Sequence, residues 1–124
     1  AALMRKVIER QSPIVVWGDG NDIRDIIYVD DLVNIIITAI ETLDHYTAMN
    51  IGYGQGFSVK QILAKLLRID GYENPEIIYD SKKPSMIPVR LVDINHSVSS
   101  LKLGSLTAID EGLERTMKWY RQFG

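Results

Sequence analysis

Five short runs rich in β-branched and aromatic residues are interleaved with stretches of helical periodicity, and this alternation restricts the chain to few architectures. The runs are PIVVW (13–17), RDIIYV (24–29), AMNIGY (48–53), PEIIY (75–79) and RLVDI (90–94). Each is bounded by Gly, Pro, Asn or Asp, the residues that end strands. Residues 31–43 place Leu32, Ile35, Ile36, Ala39, Ile40 and Leu43 on one helical face, with Asp30 as the expected N-cap. Residues 59–69 carry Val59, Ile62, Leu63, Leu66 and Leu67, and Ser58 followed by Gln61 predicts a capping box. Residues 108–122 carry Ile109, Leu113, Met117 and Tyr120, started by Thr107. A shorter helix is expected over 96–102, capped by Asn95 and stopped by Gly104. Strand–helix alternation after residue 30 predicts a small α/β domain with short strands and three to four helices.

The chain of 124 residues suits one domain, 1–124. Its net charge of -2 and pI near 5.6 exclude the basic footprint of a nucleic-acid binder. It has no cysteine, so disulfides and thiolate metal sites are excluded. The longest apolar run, IIITAI at 35–40, falls far below the roughly 20 residues that span a bilayer. No secretory signal is visible, and a cytoplasmic location is the expectation. AALMRKVIERQ (1–11) begins directly in a helical pattern without a capping residue. The chain is therefore expected to start inside an element of a longer parent.

Several patterns invite a chemistry that their spacing refuses. The acidic turn from Asp19 puts Asn21 third and Asp30 twelfth, as a calcium loop would. Ile23 then stands where an oxygen ligand is needed, and Arg24 where the sharp turn needs glycine. NIGYGQGFS offers G-x-G-x-G, but its helix begins at Ser58 rather than at a third glycine. A flexible turn accounts for it. His45 and His96 are too far apart in sequence to suggest a spaced metal pair. Tyr28 and Tyr53 lack a lysine four residues on. No metal site is expected.

Two places suit an anion. Arg24 leads a strand after a turn, where a guanidinium can fork to paired phosphate oxygens. On residue chemistry alone, a salt bridge to Asp22 or Asp25 is the stronger reading of it. DSKKPSMIPVR (80–90) gathers Lys82, Lys83 and Arg90 around two prolines that stiffen a loop, or is a solvated basic loop. Trp17 offers an aromatic face for a base, although tryptophan at a strand end is more often core.

In order along the chain, VVWGDGNDIRDIIYVDDL (15–32), NIGYG (50–54), SVKQIL (58–63), KPSMIPVRLVD (83–93) and AIDEGLERTMKWY (108–120) resemble a set of segments. They are found in extended short-chain dehydrogenase/reductases that act on nucleotide sugars, the NAD-dependent epimerase/dehydratase family. The KP…P.R..D portion is similar to its GDP-fucose synthase branch. The resemblance implies that Arg24 binds the diphosphate and that Trp17 lies near the base. It implies that Lys83 and Arg90 contact diphosphate or ribose. It further implies NAD or NADP as cofactor of the parent and a nucleoside-diphosphate sugar as ligand.

The family's G-x-x-G-x-x-G occurs nowhere in this sequence, the Y-x-x-x-K spacing is met only by Tyr79 and Lys83 where the run 75–79 meets the basic loop, and KLGS (102–105) replaces its common L-G-W. The expectation is a C-terminal substrate-binding lobe lacking the Rossmann domain, with no catalytic residues, binding no cofactor by itself and inactive in isolation. A homodimeric parent is compatible with this, its contacts lying in the missing lobe. Loss of that lobe is expected to expose apolar surface on helix 1–11 and strand 13–17. The rival readings are a non-catalytic nucleotide-sugar binding module and a structural interaction domain.

Overall fold

The computed structural model describes residues 2–83 and 87–124. The elements run α1 (Ala2–Ile8), β1 (Ile14–Trp17), β2 (Ile23–Asp25), α2 (Val29–Thr42) and β3 (Gly56–Ser58). They continue with α3 (Val59–Asp70), β4 (Ile77–Asp80), β5 (Val89–Arg90), α4 (Asn95–Leu101) and α5 (Ile109–Phe123). The expected α/β class with short strands is what forms, with five helices among the described residues.

The strands make two small sheets. β1 and β4 pair in parallel from Ile14↔Ile77 to Trp17↔Asp80. β2 is central in the second, antiparallel to β3 and parallel to β5. The core forms where α1, α3 and α5 close over β1 and β3. Val7, Ile14, Leu63, Leu66 and Met117 are its most deeply buried apolar members. Each such side chain contributes about 1.5–3 kcal/mol by leaving water. The surface expected to be exposed on residues 1–17 is therefore mostly core, since Met4, Val7, Ile14 and Val16 are all buried.

The exposed apolar surface lies on α2 instead. Leu32, Ile35 and Ala39 turn inward. Val29, Val33, Ile36, Ile37 and Ile40 face water, Ile40 at 75% exposure. The face expected from periodicity, which held Ile36 and Ile40, is thus rotated. The apolar arc of α2 is broad, with Asp30, Asp31, Asn34, Thr38 and Glu41 opposite it, so hydrophobic period alone does not choose which edge of the arc turns inward.

Capping decided other boundaries. Ser58 accepts from the Gln61 N–H at 3.1 Å while Gln61 Oε1 accepts from the Ser58 N–H at 2.8 Å, the expected capping box. Gly71 ends α3 in the left-handed region at φ 66°. Asp30 is not the cap of α2. Tyr28 holds that position without a side-chain bond, and Asp30 lies in the first turn. Thr107 does not cap α5 either, because Ala108 does. The Thr107 N–H and hydroxyl donate to Asp31 at 2.9 and 3.0 Å, tying the start of α2 to the approach to α5. Asn95 is the first residue of α4 rather than its cap, and the helix ends at a left-handed Lys102 before Gly104 is reached.

AMNIGY is not a strand. Residues 48–53 are irregular, and the strand falls at Gly56–Ser58. Glycine is required at 56, because a Cβ there would collide with Ile23 and Leu91. A glycine inside a strand marks such a close approach. RDIIYV and RLVDI contribute only Arg24–Asp25 and Arg90 to strands, which each begin one residue earlier, at Ile23 and Val89, and the ladder between β2 and β5 has only two register pairs.

Ion pairs hold the helix ends. Asp70, at the end of α3 and 3% exposed, meets Arg121 of α5 and lies 3.0 Å from Arg10 Nη2. Also in the second half of α3, Lys65 and Arg68 reach Asp110 in the first turn of α5 at 3.0 and 2.9 Å. The hydrogen bond from Lys65, helped by Arg68, holds the Asp110 carboxyl below its ordinary pKa. A depressed carboxylate pKa contributes stability above the unfolded value, near 3.9, which is lost as pH falls through the lower folded value. The pair is half exposed, so screening limits its contribution to under about 1 kcal/mol. Urea unfolding should show Asp110→Asn less stable than the parent chain at pH 6. The two should converge as pH falls below about 4.

Candidate functional site

β2 sits in the middle of its sheet, and Arg24 is its central residue. Its cross-strand partners are Phe57 on β3 and Arg90 on β5. Residues paired in register share a face, so Arg24 and Arg90 stand side by side as two cations. Arg24 Nη1 donates to the Ile23 and Ile87 carbonyls, each at 2.8 Å, and Nη2 donates to Asp22 Oδ2 at 2.8 Å. Of the two salt-bridge partners the sequence allowed, Asp22 is the one used. A guanidinium carries five N–H donors, so three directed bonds leave donors for a ligand. The Arg24 side chain is 29% exposed, which lowers the cost of keeping it charged.

Asp25 does something else. Its Oδ1 accepts from the Tyr53 N–H at 2.7 Å and its Oδ2 from the Gly54 N–H at 2.9 Å. Gly54 is left-handed, φ 79°, which aims successive amides at one point. The glycine-rich loop is therefore an anion cradle already filled by the chain's own carboxylate. The first turn of α3 is also committed. The Val59 N–H donates to the Asp22 carbonyl at 3.0 Å and the Lys60 N–H to the Gly20 carbonyl at 2.9 Å. Those bonds fix the turn that precedes β2 and so set where Arg24 starts. Asp19 closes the same turn by accepting from the Asn21 N–H at 2.9 Å, which lowers its pKa.

Trp17 is not core. It ends β1 with 65% exposure. Lys83 Nζ lies 5.5 Å from the centroid of its ring, so one indole face is in cation–π range. The four candidate residues thus form two pairs: Arg24 with Arg90 in the strand register, and Trp17 with Lys83 by direct contact. Pro84 to Met86 of the basic loop lie outside the described residues. His45 is exposed and bonded to Asp44 at 2.6 Å, and His96 is exposed on α4.

Two concavities flank these pairs. One of about 500 Å³ is lined by apolar residues of α1, α3 and α5 and by Ile26–Val29, with Arg24 in its wall. Another of about 400 Å³ lies between the turn at Gly18–Asp22 and the segment carrying Ser81, Lys83 and Pro88. Sequence reasoning missed Asp25 and Asp31. Both are positioning carboxylates whose partners, 28 and 76 residues away, leave no local signal.

Residues 1–52 match the model of the NAD dependent epimerase/dehydratase family. The chain is 28% identical to GDP-L-fucose synthase 1 of Arabidopsis thaliana over 123 residues, which cover 96% of this chain and 38% of that protein. It is 30% identical to UDP-glucuronate 4-epimerase of Thermodesulfobacterium geofontis over 118 residues, 94% of this chain and 36% of that one. The chain is thus similar to members of the NAD dependent epimerase/dehydratase family over nearly its whole length, and residues 1–52 match that family's model. Its fold is shared across this family. The UDP-glucose 4-epimerase of Thermotoga maritima, solved with UDP-glucose, superposes at TM-score 0.86 with 27% identity, over 98% of this chain and 38% of that one. The dTDP-glucose 4,6-dehydratase of Bacillus anthracis, solved with NAD, superposes at 0.85 with 16% identity, over 98% and 38%. This last likeness concerns the fold alone. The chain therefore spans well under half the length of these epimerase/dehydratase relatives.

Proposed function

We propose that the chain is the nucleotide-sugar-binding lobe of an NAD(P)-dependent epimerase, dehydratase or reductase. The observation that carries this is Arg24 in register beside Arg90 at the wall of an apolar concavity. The diphosphate of the ligand forks onto the unused donors of Arg24, and Arg90 adds a second charge. The exposed face of Trp17 takes the base by stacking, with Lys83 at its edge. Asp22 and the Ile87 carbonyl orient the guanidinium without spending all of its donors. Held at base and diphosphate, the sugar is delivered in one orientation, which lowers the entropic barrier to its reaction.

The residues here do not fit a dinucleotide cofactor. The glycine-rich amides are spent on Asp25 and the α3 amides on the preceding turn. NAD(P) is accordingly bound elsewhere in the enzyme, where it supplies a hydride acceptor and donor. The reaction takes place in the cytoplasm, outside this lobe's own residues. Isothermal titration of the full-length protein with UDP-, GDP-, CDP- and dTDP-sugars tests the proposal. Affinity for at least one class is expected, and affinity for none of them ends it.

A further inference from the structure

The Arg24 guanidinium has fewer ways to grip an anion than its donors alone suggest. Nη1 carries two N–H groups and both are spent, on the Ile23 and Ile87 carbonyls at 2.8 Å each. A two-pronged grip on phosphate must therefore use Nη2 together with Nε. Nη2 already donates to Asp22 Oδ2 at 2.8 Å. A phosphate oxygen and the Asp22 carboxylate then meet at one nitrogen, and both are anionic.

The ion pair also stands on the path of the ligand. Arg24 lines the concavity of about 500 Å³, and Asp22 lines the one of about 400 Å³, which Lys83 shares. A ligand with its base at Trp17 and Lys83 and its diphosphate at Arg24 runs along Asp22. The Arg24 and Asp22 side chains are 29% and 19% exposed, so water screens the carboxylate only in part. The Asp22 carbonyl accepts from the Val59 N–H at 3.0 Å, which fixes the backbone of this residue against α3. Asp19, on the same wall, is committed to Asn21, whose backbone and side-chain amides donate to it at 2.9 and 2.8 Å.

We infer that the Asp22 carboxylate opposes the diphosphate at Nη2 and so keeps the bound nucleotide sugar exchangeable. This rests on the function proposed above. Epimerisation, dehydration or reduction of the sugar leaves the diphosphate untouched, so substrate and product engage Arg24 alike. Binding shared equally by the two does not speed the chemistry, and in excess it delays release of product. A like charge at the binding nitrogen lowers that shared affinity. Nη1, held on its two carbonyls, keeps the guanidinium in place throughout.

Isothermal titration of the full-length protein tests this by comparing the parent with Asp22→Asn and Asp22→Ser, which keep an oxygen acceptor and lose the charge. The probes are UDP-, GDP-, CDP- and dTDP-sugars, inorganic pyrophosphate and the matching free nucleosides. In both variants, affinity for nucleotide sugar and pyrophosphate should rise about three- to tenfold, with nucleoside affinity unchanged. The gain should shrink between about 0.02 M and about 0.5 M sodium chloride, because salt screens the repulsion that the variants remove. Equal or weaker binding by the variants overturns the inference, since Asp22 then only orients Arg24. A gain that salt leaves unchanged also overturns it, because its cause is then shape and not charge. A salt-sensitive gain toward pyrophosphate in a protein that binds no nucleotide sugar contradicts the proposed ligand and leaves the opposing charge standing.

Discussion

Asp25→Ala should cost about 3 kcal/mol of unfolding free energy, because one carboxylate holds two backbone amides and each such charge-assisted bond contributes about 1.5–3 kcal/mol. The Tyr53 and Gly54 N–H groups lose their acceptor together. The loop from 48 to 55 has no ladder of its own to replace it. The loop also packs Tyr53 against Phe57, ring centroids 5.9 Å apart, and Phe57 belongs to the core. Urea denaturation followed by circular dichroism reads the loss directly. Asp25→Asn keeps one oxygen acceptor and should lose about half as much. Equal stability of Asp25→Ala and the parent chain would show that the loop stands without its anion.

The second large effect concerns the ligand. Arg24→Ala in the full-length protein should weaken nucleotide-sugar binding about 10- to 100-fold, from one or two charge-assisted bonds at about 1.5 kcal/mol each, the low end for an exposed site, and 1.4 kcal/mol per tenfold. Affinity for the free nucleoside, which has no phosphate, should be nearly unchanged. Arg24→Lys should recover only part of the loss, since an ammonium is a point charge without the planar fork. The same substitutions remove the bond to the Ile87 carbonyl that helps hold β5. A melting curve must therefore accompany each titration. Loss of nucleoside and nucleotide-sugar affinity in equal measure would mean that Arg24 acts through the fold and not on phosphate.

Local chemistry made part of this legible from the residues. Ser58 and Gln61 specify a helix start by themselves, and α3 begins where they put it. The runs at 13–17 and 75–79 carry enough β-branched residues to form β1 and β4 close to their expected bounds. The segment pattern resembled the family whose model residues 1–52 match, and the similar relatives agree with it. What failed was nonlocal. AMNIGY has strand composition, yet a carboxylate 28 residues earlier takes its amides, and the strand forms instead around a glycine that propensity disfavours. Asp30 and Thr107 look like caps, but neighbouring Asp31 bonds Thr107 across 76 residues, and neither cap forms. The inward face of α2 was hidden for a different reason: its apolar arc is wider than the stripe that is buried, so periodicity does not choose which edge turns inward. For the site, the side-by-side setting of Arg24 and Arg90 depends on strand register, which residue types alone do not supply.

A crystal structure of the full-length protein with a bound nucleotide sugar tests the central claim most directly. The account predicts an Arg24 terminal nitrogen within about 2.7–2.9 Å of a diphosphate oxygen, the range of charge-assisted bonds, with Arg90 on the same side of the sheet. A ligand whose phosphates lie elsewhere, while that guanidinium remains engaged only by Asp22 and the carbonyls of Ile23 and Ile87, would contradict it.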